Sequence, residues 1–331
     1  MKNLSIGKIR GLQEISTTDG YLTVLALDQR GSLIHAMGLE KEDPGLYEKI
    51  RDFKMDTIQA LLPYCSAVLL DPQYSAAEAI HDGLVSGQRG IIVTTEETGY
   101  VEKPDGRTNQ LIPGWSLEKA KRMGASASKL LVYYNPKIHS LAKLQEEFVQ
   151  SLSDTAEDLD LPLLLEPMSY PADPEIPKNS EEFAQMRPKI VLDTVKNMGH
   201  LGIDLLKLEF PCDVNYELDK SVWLSTCEQI TELSPVPWVL LSAGVNFDVF
   251  KKQLDIACRA GASGFVAGRA IWKEAASLDK KDRIGFLKNT AAKRTEELAT
   301  IVQKHAMPWK DSLENDFTKI DKNWIASYKN F

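Results

Sequence analysis

A chain of 331 residues is about twice a typical ~150-residue domain, yet an α/β barrel uses this length as one domain. With 43% hydrophobic and 26% charged residues it has ordinary globular usage, which excludes collagen-like, wholly disordered and disulfide-scaffold chains. The 39 basic and 47 acidic side chains leave a net charge of −8 without a sustained basic block, so nucleic acid is not an expected partner.

The N-terminal MKNLSIGKIRGLQEI lacks the long apolar run and cleavage site of a signal peptide and reads as a helical segment leading into the fold. No stretch approaches the ~18 apolar residues of a membrane span, so a soluble cytoplasmic protein with no membrane partner is expected. Eight short apolar runs then follow in order: YLTVLALD (21–28), SAVLLDP (66–72), GIIVTTE (90–96), KLLVYYN (129–135), LPLLLEP (161–167), DLLKLEF (204–210), PWVLLSAG (237–244) and SGFVAGR (263–269). Each is largely apolar on both parities, the pattern of strands buried on both faces of a parallel sheet. Amphipathic stretches at 139–158, 181–199, 216–233 and 246–260 predict intervening helices. Segments 97–114 and 167–180 read as long polar loops, 273–283 as a polar loop, and 281–304 as a last helix before a tail containing PWKDSLENDF.

Eight β/α units predict a (β/α)8 TIM barrel, with residues 1–331 as a single domain. The first strand leads into DQRGSL and not a GxGxxG turn, which argues against a doubly wound dinucleotide fold. No 20–50-residue period repeats, so a solenoid is excluded.

Barrel chemistry belongs to polar residues at strand C-terminal ends, here Asp28, Gln29, Asp71 and Glu166. Lys129 and Lys207 lie inside apolar runs, and a lysine in a buried strand is costly unless paired or neutralised. An amine becomes nucleophilic through desolvation or a neighbouring cation, so Lys129 beside Lys207, with Glu166 to move protons, suits Schiff-base chemistry on a ketone. Ser242, Ala243 and Gly244 after the seventh strand, and Ala267, Gly268 and Arg269 after the eighth, read as a phosphate site built from backbone N–H groups and a guanidinium. Cys65, Cys212, Cys227 and Cys258 form no CxxC pair and read as buried free thiols. The five histidines show no HxH or HExxH spacing, so no metal site and no cofactor is expected. Trp223, Trp238 and Trp272 read as core residues, and Tyr133 and Tyr134 as packing in or around the barrel.

The segments LALDQRG, LLDPQY, KLLVYYN, LLLEPMSY, DLLKLEFP and LSAGVNFDVFKKQLDIACRAGASGFVAGRAIW resemble the class I tagatose 1,6-bisphosphate aldolases, and more distantly the class I fructose-bisphosphate aldolases. The resemblance runs from about residue 20 to about 310. It implies Lys207 as Schiff-base lysine, Glu166 as the proton-transfer residue, Asp28 at the C4 hydroxyl, and Lys129 tuning the site. It further implies Ser242, Gly244, Gly268 and Arg269 around the 1-phosphate of a ketose, and Gln29, Arg30 and Arg294 around the distal phosphate. A phosphorylated sugar is then the small-molecule partner, and a homo-oligomer the expected assembly.

Gln73 and Ser75 depart from the family's LLDPEYG pattern, and Asn135 stands where an acidic residue is expected after the tyrosines. These positions bear on the exact sugar and its distal anion. The alternatives are the same chemistry, as aldolase or transaldolase, on a sulfo-sugar or other phosphorylated ketose, and a non-catalytic sugar-phosphate sensor on the same scaffold.

Overall fold

The computed structural model describes residues 4–313 and 322–328. Eight parallel strands follow the predicted order: β1 Leu22–Leu27, β2 Ala67–Leu70, β3 Gly90–Thr94, β4 Ala127–Tyr134, β5 Leu163–Ser169, β6 Leu205–Leu208, β7 Trp238–Leu241 and β8 Gly264–Ala267. They close into a (β/α)8 barrel, with β8 returning to β1 through the pairs Leu22↔Gly264 to Leu25↔Ala267.

Strand parity explains both the apolar runs and the site. Inward positions Val24, Leu69, Ile92, Ala127, Leu164, Leu205, Val239 and Val266 form one buried cluster, while the outward residues pack under the helices. Both parities must therefore be apolar. Two or four residues further along six of the strands, β1 to β6, the same inward parity reaches Asp28, Asp71, Glu96, Lys129, Glu166 and Lys207. The polar layer thus sits directly on the apolar one, towards the C-terminal mouth. On β4 and β5 the last inward residues, Leu131, Tyr133 and Met168, are half-exposed where the mouth opens.

Helices His139–Asp158, Glu181–Met198 and Phe247–Arg259 occupy their predicted segments. Ser180 and Asn246 cap two of them by accepting from the Phe183 and Val249 N–H groups at 3.2 and 2.9 Å. The helix predicted over 216–233 begins later, at Lys220, because Asp219 caps it through the Ser221 N–H. Segment 273–283 is not a loop: a 3-10 turn covers Lys273–Ser277, and a helix capped by Asp279 starts at Lys280. That last helix runs to His305 through a π-helical turn at Leu287–Ala291. Segment 97–114 is not wholly irregular either, since Val101–Lys103 pairs with Gly106–Thr108 as an antiparallel hairpin. β5 extends to Ser169, which puts Glu166 within the strand, opposite Leu131, and not at its end.

The N-terminal helix Ile6–Ile15 closes the opposite end of the barrel, where Leu12 and Ile15 pack on the inward cluster. Its buried Lys8 reaches Asp204 at 2.8 Å and Glu157 at 2.9 Å. The four cysteines are free and buried, as are the side chains of Trp223, Trp238 and Trp272. Of the C-terminal tail, 314–321 and 329–331 lie outside the described residues, as do 1–3. Among the described residues no helix is long and apolar enough to cross a membrane.

Candidate active site

Adjacent strands β4, β5 and β6 deliver Lys129, Glu166 and Lys207 to one point. Lys207 Nζ lies 2.9 Å from Glu166 Oε2, and Lys129 Nζ lies 2.8 Å from the same oxygen. Lys129 also reaches Asp28 Oδ2 at 3.0 Å, across the lumen from β1, and Glu96 Oε1 at 2.6 Å, from the end of β3. The other Glu96 oxygen accepts the Leu131 N–H at 3.0 Å, which fixes the carboxylate beside β4. All five side chains are buried, Lys129 to 1% exposure and Lys207 to 3%.

Their surroundings give the two lysines different characters. Burial opposes charge on Lys129, but Asp28, Glu166 and Glu96 outweigh it and hold the ammonium well above the ordinary lysine range. Burial likewise pushes the Asp28 carboxyl up, while Lys129 and then Lys207 pull it down to well below the usual carboxylate range. Lys129 is therefore a fixed cation and Asp28 a fixed anion. Lys207 has Glu166 as its only ion-pair partner among the described residues.

Two acceptors near this cluster are buried without a hydrogen-bond partner among the described residues, Asp28 Oδ1 and Gln29 Oε1. Buried acceptors in that state are unusual, and both suit hydroxyl donors on a ligand. Asp71, in contrast, builds a turn: it accepts the Gln73 and Tyr74 N–H groups at 3.0 and 2.7 Å and pairs with the buried Lys54.

After β7 and β8 the expected anion cradle has a specific backbone shape. Ala243 and Gly244 are consecutive left-handed residues, at φ 46° and 80°, and the Val245 N–H closes the turn on the Ser242 carbonyl at 3.0 Å. A non-glycine residue in this region is strained, a feature that clusters at ligand clamps. The Arg269 guanidinium lies across this turn: a Cβ on Gly244 would stand 3.3 Å from Arg269 Nη1. Gly268 leaves no room for a side chain, because a Cβ there would meet the Ala26 carbonyl oxygen at 2.1 Å. The Gly244 turn lies beside Arg269, and the helix that follows it is capped by Asn246.

Of the three residues expected at the distal phosphate, Gln29 and Arg30 follow β1 and Arg294 lies on the last helix. Arg30 donates to the Glu96 carbonyl at 2.6 Å and to Gln73 Oε1 at 3.1 Å. Arg294, on the last helix, is paired with Glu274 at 2.8 Å and donates to the Ile271 carbonyl at 3.2 Å. Glu96 was not among the expected site residues. Its signal was a carboxylate ending the strand next to the one that carries Lys129, visible once β3 and β4 are known to pair through Thr94↔Lys129.

The closed barrel and its lysine–carboxylate cluster define a lyase of the aldolase class. A family model described as DeoC/LacD family aldolase matches residues 22–274, and the chain belongs to that family. The tagatose 1,6-diphosphate aldolase of Listeria monocytogenes is 31% identical over 93% of this chain and 95% of its own length. Tagatose 1,6-diphosphate aldolase 1 of Enterococcus faecalis is 29% identical over 93% and 98%. In fold the chain is similar to an archaeal fructose 1,6-bisphosphate aldolase, with TM-score 0.59, 19% identity, and coverage of 90% and 99%. Fructose-bisphosphate aldolase from Plasmodium falciparum gives TM-score 0.63 at 15% identity, covering 92% and 97%.

Proposed function

We propose that the chain, acting as a single domain, is a class I aldolase that reversibly cleaves a ketohexose bisphosphate, tagatose 1,6-bisphosphate above all, to dihydroxyacetone phosphate and glyceraldehyde 3-phosphate. One observation carries this reading: Lys207 and the fixed cation Lys129 share a single oxygen of the buried Glu166. The names of the relatives support the substrate.

In this reading Glu166 takes a proton from Lys207, and the free amine attacks the C2 carbonyl to give a carbinolamine. Glu166 returns the proton to the carbinolamine oxygen, which departs as water and leaves an iminium. Asp28 and Gln29 accept from substrate hydroxyls, with Asp28 at C4. Loss of the C4 hydroxyl proton to Glu166 breaks C3–C4, the electron pair passing into the iminium to form an enamine as the aldehyde leaves. Glu166 then protonates C3, and water hydrolyses the iminium, releasing the ketone and restoring Lys207. Lys129 holds Asp28 and Glu166 in place and stabilises developing negative charge. Ser242, Gly244, Gly268 and Arg269 hold the 1-phosphate. The substrate is a soluble sugar phosphate, which fits a cytoplasmic enzyme, and the family resemblance implies a homo-oligomer that sedimentation tests.

The decisive experiment is borohydride reduction in the presence of dihydroxyacetone phosphate, followed by peptide mapping. The expected result is one stable adduct, on Lys207, absent from Lys207→Ala. An adduct on Lys129 alone, or none, overturns the assignment.

A further inference from the structure

The distal anion of a bisphosphate needs a cation with open N–H donors. Arg30 and Arg294 each have a carboxylate beside the guanidinium, Glu97 at 3.6 Å and Glu274 at 2.8 Å, and give part of their donors to Glu96, Gln73 and Ile271, the Arg30 Nε staying unpaired among the described residues. Arg107 differs. It lies on the second strand of the hairpin after β3, and its guanidinium stands 4.1 Å from the ring centroid of Tyr100, 5.2 Å from Tyr170 and 5.7 Å from Tyr133. Among the described residues its side chain has neither a carboxylate partner nor a hydrogen bond. Aromatic rings hold a guanidinium by its face, which leaves its in-plane donors open.

The position fits as well. Tyr133 shares the inward parity of β4 with Lys129 and is half-exposed at the mouth. Burial raises its hydroxyl, Arg107 lowers it and Glu166 raises it, so one ring feels both the guanidinium and the central carboxylate. Around the barrel the order is β1-β8-β7-β6-β5-β4-β3-β2, which sets the β3–β4 side diametrically across from the β7–β8 side. Arg107 and Arg269 are therefore cations on opposite rims, with Lys207 on the arc between them.

We infer that Arg107, seated on Tyr100, Tyr133 and Tyr170, binds the distal phosphate of the substrate and sets the preference for a bisphosphate over a monophosphate. This rests on the aldolase reading above and names the residue that selects the far end of its substrate.

The test runs the reaction towards synthesis, with dihydroxyacetone phosphate and either glyceraldehyde 3-phosphate or unphosphorylated glyceraldehyde as acceptor. Arg107→Gln lowers the ratio of the two kcat/KM values roughly ten- to hundredfold, the usual worth of a hydrogen bond to a charged group. Arg107→Lys, which keeps the charge and loses the planar fork, falls between, and it decides the matter if the glutamine variant does not fold. An unchanged ratio, or an equal fall for both acceptors, overturns the inference. Borohydride trapping on the same preparations separates the two readings. An adduct at Lys207 with an unchanged ratio removes only the role of Arg107, whereas no adduct in the wild type removes both.

Discussion

Lys129 is the residue on which the charge balance of the site turns, since it faces Asp28, Glu96 and Glu166 at 3.0, 2.6 and 2.8 Å. Lys129→Met leaves three carboxylates converging on an apolar side chain. Removing one partner of a buried ion pair typically costs ~3–5 kcal/mol, and a loss of about this size is expected in urea unfolding at pH 7. The pH dependence gives a sharper check. In the wild type Asp28 is depressed below its ordinary 3.8, so its stabilising contribution is present above that value and lost as pH falls through the depressed one. Lys129 is raised above its ordinary 10.5, so its contribution is present below that value and lost only as pH climbs through the raised one. Between those limits the contribution of these two groups is flat. In Lys129→Met the crowded carboxylates bind protons more readily folded than unfolded, so the variant gains stability from pH 7 to pH 5. A variant whose stability is flat or falls over that interval would show that Lys129 does not hold the cluster together.

The turns after β7 and β8 form a unit whose parts separate by mutation. Gly268→Ala drives a Cβ into the Ala26 carbonyl, so it reports packing and says nothing about a ligand. Arg269 is only partly buried and lies over Gly244, so Arg269→Ala is the informative change. It is expected to weaken binding of a 1-phosphorylated ketose by ~1.5–3 kcal/mol, one to two orders of magnitude in Kd. Comparing kcat/KM for the bisphosphate and for its analogue lacking the 1-phosphate checks this, and an equal loss on both assigns Arg269 a structural role. Legibility in the sequence followed element length. All eight barrel strands were readable because each is a run apolar on both parities, and Lys129, Glu166 and Lys207 stood out as charges inside such runs. The hairpin around Arg107 has strands too short for any period, so 97–114 read as loop. Glu96 at the end of β3 looked like one more polar strand terminus, and only the β3–β4 register reveals its partner. The three tyrosines around Arg107 come from three separate segments, a convergence that no local pattern announces.

Across the whole molecule the two ends of the barrel carry different tasks. Lys129, Glu166 and Lys207 occupy the C-terminal end, while the N-terminal helix seals the other with Lys8 set between Asp204 and Glu157. Both ends bury a lysine among carboxylates, so burial of charge alone does not mark the active end; what distinguishes it is a second lysine on the same carboxylate. In Lys8, burial works against the charge, and Asp204 and then Glu157 outweigh it, so its pKa is raised above 10.5. Asp204 also accepts the Leu163 N–H at 2.9 Å, which ties the helix to the starts of both β5 and β6. Lys8→Met keeps the stem and removes the cation that bridges these elements, and it is expected to cost about 3 kcal/mol, the low end for breaking a buried pair because Glu157 is partly exposed. The wild-type contribution of Lys8 is present below 10.5 and lost as pH rises through the raised value, so the gap between the two proteins narrows at strongly alkaline pH. Residues at the N-terminal face of such a barrel serve stability and those at the C-terminal face serve catalysis. Urea unfolding and kcat measured on the same preparation of Lys8→Met should therefore part company, the midpoint falling while turnover per folded molecule holds. A fall in kcat that matches the loss of stability would mean that the apolar layers transmit the state of the lower end to Lys207, and that the barrel's two ends are not independent.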